Sequence, residues 1–323
     1  ENLFNEIKNS MKIRLRSDVE KSFLLSGGID SNSLICMSKK LFEEKINSFS
    51  IFSSSKYHNE NKFIKIGSDQ CDNTTYVNLK NSDNSIKENY EKMQNFHFAP
   101  IPTLTSALTF SLGKIIKEKK IKVVYTGLGG DELFSGYLKH YIYFLGSLKR
   151  IKENKFYFNS WEKNIKNFVH NPYLKSFKYL NQNYINKYAF NYKAAKKYFF
   201  NYEHFDPQIR KFKDYLKNDQ FRGVFNESIP VILDQDDLNF MYHSVENRSP
   251  YLSKKILELA FNIPNKLKFK DGIAKYPLRK VVNKLVNFKI LNNKRKVGFN
   301  TTINNIVNTK SSNFMKEILK SDF

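Results

Sequence analysis

An apolar run, Phe23-Leu24-Leu25, passes without a break into Ser26-Gly27-Gly28-Ile29-Asp30-Ser31. No other stretch limits the possible folds so strongly. The run predicts a buried strand over Ser22–Leu25. From near Ser31 the chain predicts a helix, which through Ser33–Phe42 carries Leu34, Ile35, Met37 and Leu41. Two glycines between strand and helix let the backbone turn tightly and bring its N–H groups toward one point. The helix aims its positive end at the same point. A pyrophosphate fits such a junction, and Asp30 adds a carboxylate where Mg²⁺ would offset phosphate charge. The competing reading is a plain Ser/Gly turn.

Further strands are predicted at Ile46–Phe52, Thr74–Leu79 and Val123–Thr126. Helices at Phe63–Ile66, Ile86–Met93 and Leu104–Ile116 alternate with them, and an amphipathic segment, Leu3–Leu15, opens the chain. This alternation predicts an α/β fold: a parallel sheet with helices on both faces and ligands beyond the carboxyl ends of its strands. Residues 1–140 form this α/β core. Residues 141–228 change character, being rich in Phe, Tyr, Asn and Lys, and read as a helical insertion with helices at Tyr141–Leu148 and Ile165–Leu174. Its aromatic rings suit helix packing better than base stacking. Residues 229–323 predict helices again, at Ile232–Val245, Lys254–Phe261 and Ala274–Val286, and close the site.

The chain has 323 residues and a formal net charge of +23. Such a charge suits nucleic acid or acidic surfaces. The lysines are dispersed, however, and Lys, Asn, Ile and Phe are abundant together, so drift in composition explains the charge better and a nucleic-acid partner is not expected. No apolar stretch is long enough to cross a bilayer, and no signal segment opens the chain. Cys36 and Cys71 support neither a disulfide framework nor a CxxC metal site, and a reducing cytoplasm is the expected compartment. The absence of Met before Glu1 suggests an excised piece of something longer.

A second glycine-rich stretch, Thr126-Gly127-Leu128-Gly129-Gly130-Asp131-Glu132-Leu133-Phe134-Ser135-Gly136-Tyr137, follows the Val123 strand. Read alone, Asp131 could cap the next helix. Beside the first loop it could instead share a cation with Asp30. The first loop lacks the Lys-Ser/Thr of a Walker A sequence and the spacing of GxGxxG. It resembles the loop of the ATP pyrophosphatases, which cleave ATP between the α and β phosphates. Together, SGGIDS and GLGGDELFSGY resemble the synthetase domain of the asparagine synthetase family. Further matches follow in order: Ser244-Val245-Glu246-Asn247-Arg248-Ser249-Pro250-Tyr251-Leu252, Lys275-Tyr276-Pro277-Leu278-Arg279 and Lys296-Val297-Gly298-Phe299.

The resemblance implies ATP-dependent amide synthesis through an acyl-adenylate, with Mg²⁺ and with ammonia as nucleophile. The acid would be aspartate, a sugar acid or a peptide. It implies that backbone at Leu25, Ile51, Thr126 and Gly127 lines the adenine and ribose pocket. Ser26, Gly27, Gly28 and Ser31 would cradle pyrophosphate, Asp30 and Asp131 would ligate Mg²⁺, and Lys275 would face the reacting phosphate. Two departures qualify this. The family carries Glu or Asp at the position of Leu128, placed to help the amine, and Leu can neither accept a proton nor orient ammonium. Either another carboxylate, Glu132 or Glu246, takes over, or the second half-reaction differs. Ser253 and Lys294 also stand where the family often has Asp and Arg. In addition, no glutaminase domain precedes Glu1, which leaves a separate glutaminase partner or free ammonia. Intramolecular amide cyclases of the β-lactam synthetase or lasso type, and tRNA-modifying enzymes with a pyrophosphatase loop, are the competing functions.

Overall fold

The computed structural model describes residues 1–52, 59–78, 83–99, 101, 103, 105–148, 151–169, 175 and 211–295. Five strands form one parallel sheet: β1 (Lys21–Leu24), β2 (Asn47–Phe52), β3 (Asn73–Asn78), β4 (Val123–Tyr125) and β5 (Glu246–Arg248), in the spatial order β3-β2-β1-β4-β5. The register sets Phe23 against Ser48 and against Tyr125, so β1 is flanked by β2 and β4. The chain order reverses between these neighbours, and the loops leaving β1 and β4 open side by side at that switch point.

Alternation along β1 decides which helices cover which face. Phe23 and Leu25 point to one side, where α1 (Asn2–Arg14) and α2 (Ile29–Phe42) supply Ile7, Met11 and Ile35. Leu24 points to the other, against Leu112 and Ile116 of α5 (Ser106–Glu118) and Phe240. Both faces are thus buried, which explains why the short central strands read as apolar runs rather than alternating ones. The α3 (Asn61–Ser68) and α4 (Asp83–His97) helices complete this half. Short α6 (Gly130–Phe134) leads into α7 (Leu138–Ser147) and α8 (Ile151–Asn164). Here aromatic residues pack against each other, with Phe144 stacked on Phe269 at 4.8 Å and Trp161 fully buried. After α9 (Tyr215–Phe225) and α10 (Ser228–Met241) come β5, α11 (Lys254–Asn262), α12 (Asn265–Lys268), α13 (Tyr276–Val281) and α14 (Phe288–Leu291). Ile256, Leu278 and Ile290 from this last part join the core around Phe23.

Several expectations are corrected. Glu246–Arg248 is a strand, although three polar residues at a sheet edge carry no alternation to reveal it. The helix before it ends at Met241, and the chain then turns through Ser244 at φ 59°. No α-helix runs from Ile165. The α8 helix ends at Asn164, whose side chain donates back to the Ser160 carbonyl, and a 3-10 turn (Lys166–Phe168) follows. The helix expected from Ala274 starts at Tyr276, because Pro277 has no N–H to donate and belongs in a first turn. Leu79, Leu104, residues 170–174 and the segment Lys296–Phe299 lie outside the described residues.

Candidate active site

The first loop is held by its own hydroxyls. Ser31 Oγ accepts from Ser26 N–H at 3.1 Å and lies 3.0 Å from Ser26 Oγ, and Asn32 Nδ2 donates to the Ser26 and Gly28 carbonyls. These bonds start α2 at Ile29, two residues earlier than expected, with Gly28 as its cap. Gly27 N–H donates to Glu60 Oε2 at 3.3 Å, so a backbone amide of this loop already holds an anionic oxygen. Sequence reasoning missed Glu60, which belongs to no motif and sits at the start of α3.

The second loop leaves β4 at Thr126, whose N–H donates to the Arg248 carbonyl and whose hydroxyl lies 3.1 Å from Ser249 Oγ. Gly129 turns the chain at φ 92°, a conformation that side chains resist. Asp131 then comes to face Asp30. Lys275 lies between them: its ammonium contacts Asp30 Oδ2 and sits 2.7 Å from Asp131 Oδ1. All three groups are buried, so each carboxylate would cost several kcal/mol to hold there without a counter-charge, as order-of-magnitude desolvation estimates indicate. Lys275 adopts φ 57° and caps α13. A non-glycine in this region costs on the order of 1–2 kcal/mol, and that strain lets its side chain reach back into the sheet. Gly136 lies against both Asp131 and Lys275, and a Cβ there would collide with each.

Two carboxylates that converge on one ammonium also converge on a point suited to a divalent ion. Among the described residues no group of three or more His, Cys, Asp or Glu side chains forms a protein-only cage. Asp30 and Asp131 therefore fit Mg²⁺ in the way nucleotide sites do, with phosphate oxygens and waters filling the remaining positions.

Glu132 faces away from this point. The Tyr137 hydroxyl donates to its Oε1 at 2.5 Å, and burial, with the Asp131 charge second, pushes its carboxyl up. Beyond Tyr137, its N–H donates to His140 Nδ1, so His140 carries its proton on Nε2, which lies 3.1 Å from Asp219 Oδ2. Burial pulls His140 down despite this carboxylate, leaving it neutral. Asp219 is likewise opposed by burial, yet Lys139, His140 and Arg222 hold it well below the carboxylate range. Glu246 is placed elsewhere. It opens β5 opposite Val123, at the end of the sheet away from the loops, exposed and paired with Arg248 at 2.7 Å. Parallel pairing put it there, and it is withdrawn as a candidate proton acceptor.

Thr126 and Gly127 line a cavity of about 450 Å³ together with Ser26, Asp30 and Ser31. Leu25 is wholly buried and Ile51 packs into the core beside β3, and neither side chain lines this cavity. Two further residues of the matched motifs do positional work. The Tyr251 hydroxyl donates to the Asp30 carbonyl at 3.0 Å. Arg279 donates to the carbonyls of Ala274, Ile290, Leu291 and Asn293, tying Lys275's helix to the chain after α14, and burial pulls its guanidinium down to about 10.

The chain matches the family described as Asparagine synthase over residues 3–322. It is 25% identical to asparagine synthetase [glutamine-hydrolyzing] 1 of Bacillus subtilis across 348 aligned positions, covering 97% of this chain and 51% of that protein. A Methanocaldococcus jannaschii protein provisionally named asparagine synthetase [glutamine-hydrolyzing] 2 is 31% identical over 133 residues, 41% of this chain and 25% of that protein. Amidase chyE of Penicillium rubens is 30% identical over 141 residues, 40% and 21% of the respective chains. The chain thus spans about half the length, or less, of the curated relatives it matches. With nearly every residue inside the family match, this chain belongs to the asparagine synthase family.

Proposed function

We propose that this chain activates a carboxylic acid with ATP and converts it to an amide. The acid oxygen attacks the α-phosphate, the bond to pyrophosphate breaks, and an acyl-adenylate forms. A nitrogen nucleophile, ammonia in the simplest case, then attacks the acyl carbon and AMP leaves. The observation that carries this reading is the Lys275 ammonium held between Asp30 and Asp131, in a pocket that Ser26 and Gly28 also line. Family membership supports it independently.

The chain's own groups divide the work. Amides of the first loop and the start of α2 bind pyrophosphate oxygens, with Ser26 and Ser31 holding the loop in shape. Thr126 and Gly127 bound the nucleoside side, with backbone at Leu25 and Ile51 contributing from the neighbouring tips of β1 and β2. Asp30 and Asp131 hold Mg²⁺, which when bound offsets phosphate charge. Lys275 faces the phosphate undergoing attack, where positioned positive charge matters more than covalent help. Aspartate, a uronic acid or a peptide carboxylate are the acids that fit this reading, and a glutaminase domain or subunit would supply ammonia.

An ATP–pyrophosphate exchange screen across L-aspartate, uronic acids and peptides tests this. One acid should support exchange, and Asp30→Ala or Lys275→Ala should each abolish it. Exchange that survives both substitutions would sink the assignment.

A further inference from the structure

The second half of the reaction needs somewhere for the amine's proton to go. Leu128 offers no acceptor, Glu132 is engaged by Tyr137, and Glu246 lies at the far end of the sheet. The cavity that Leu128 lines is also walled by α10. Ile232 and Asp236, one helical turn apart, both line it, so this face of α10 presents an apolar surface with one carboxyl set into it. The wall is fixed in place. Gln235 accepts from Ser106 Oγ, and Asn239 donates to the Ser106 carbonyl and to Thr109 Oγ1, locking α10 onto the start of α5.

We propose that Asp236 is the proton acceptor for the attacking amine, taking from within the same cavity the role that an acidic residue at position 128 would have. This rests on the adenylating reading above. The nitrogen lone pair forms the C–N bond, the acyl C–O bond breaks with its electron pair leaving on AMP, and one nitrogen-bound proton passes to the Asp236 carboxylate. The cavity would therefore take a neutral amine or ammonia between Leu128 and Asp236.

The surroundings suit this task. Burial pushes the Asp236 carboxyl up to about 7, against the pull of the Thr109 hydroxyl, so at neutral pH both protonation states are populated. The other titratable groups nearby are committed. Asp30 and Asp131, on the loop side of the cavity, hold Lys275. Burial and the neighbouring carboxylates keep Tyr137 a phenol, and His97, from α4, is bonded to Asn239 and pulled down by burial.

The test separates the two half-reactions in the full-length chain, using the acid that supports exchange. Asp236→Asn should keep ATP–pyrophosphate exchange within about 3-fold while amide formation with ammonia falls by about 100-fold or more. The acid limb of the amide-forming rate at constant free ammonia, with a midpoint near 7, should vanish. Adding Leu128→Glu to the Asp236→Asn variant should restore turnover, because it returns a carboxylate to the same cavity. Unchanged amide formation in Asp236→Asn would overturn the proposal alone, as would parallel loss of exchange and amide formation in a folded variant. A parent chain that exchanges with no acid would overturn the adenylating reading, and this proposal with it.

Discussion

At Gly136 a side chain has nowhere to go, because a methyl group would occupy the space of Asp131's carboxylate and Lys275's terminal carbons. Gly136→Ala should therefore act like a substitution of Lys275 itself. Displacing the reacting groups by about 1 Å costs on the order of 100-fold, so exchange should fall by at least that much while the melting temperature moves only modestly. Tyr251→Phe removes the hydrogen bond to the Asp30 carbonyl, which keeps its helical partner in α2, and should cost about 0.5–1.5 kcal/mol in denaturant unfolding. Glu246→Ala should leave exchange untouched, as its carboxylate is spent on Arg248 at the sheet edge. Full loss of exchange in that variant would contradict the placement of β5. Sequence reading reached Asp30, Asp131 and Lys275 because glycine loops and a short motif surround them. It could not reach Asp236, one of three aspartates in Asp234-Gln235-Asp236-Asp237, where nothing in the spelling tells which one faces a cavity.

Among the elements, α7 and α9 are joined by the buried pair His140 and Asp219. An unfolded imidazole takes up a proton near pH 6.5, whereas the folded one, pulled down by burial, refuses it. The unfolded state therefore binds more protons below that point, and stability should fall as pH drops below about 6.5. Asp219 acts in the same direction at lower pH: its depressed carboxyl stabilises the fold above the ordinary carboxylate range and loses that contribution as acid protonates it. Over the same range the raised Asp236 carboxyl works in the opposite sense, so the His140 contribution is read by comparison: between pH 7.5 and 5.5, chemical denaturation should show a larger loss of stability in the parent chain than in His140→Gln. The central strands and most helices could be read to within a few residues, because apolar runs and helical spacing report burial directly. What escaped was set by tertiary pairing. The β5 strand exists because β4 offers it an edge, and α13 starts only at Tyr276 because Lys275 bends backward before it and Pro277 belongs in its first turn.

At the scale of the whole molecule, residues from Leu3 to Ile290 share one core around β1. The +23 charge lies over this α/β body without a sequence block that concentrates it. Any association with tRNA should therefore be loose and electrostatic, and should disappear between roughly 50 and 200 mM salt, as counterion release demands. A filter-binding titration checks this, and retention at the higher salt would favour the nucleic-acid reading. The long sequence separation within the Asp30–Lys275 pair has a consequence for biosynthesis. A ribosome that has delivered both strand tips has made two facing anions and not yet the cation that reconciles them. Lys275 emerges far later, so a half-made chain owns a cradle it cannot charge-balance.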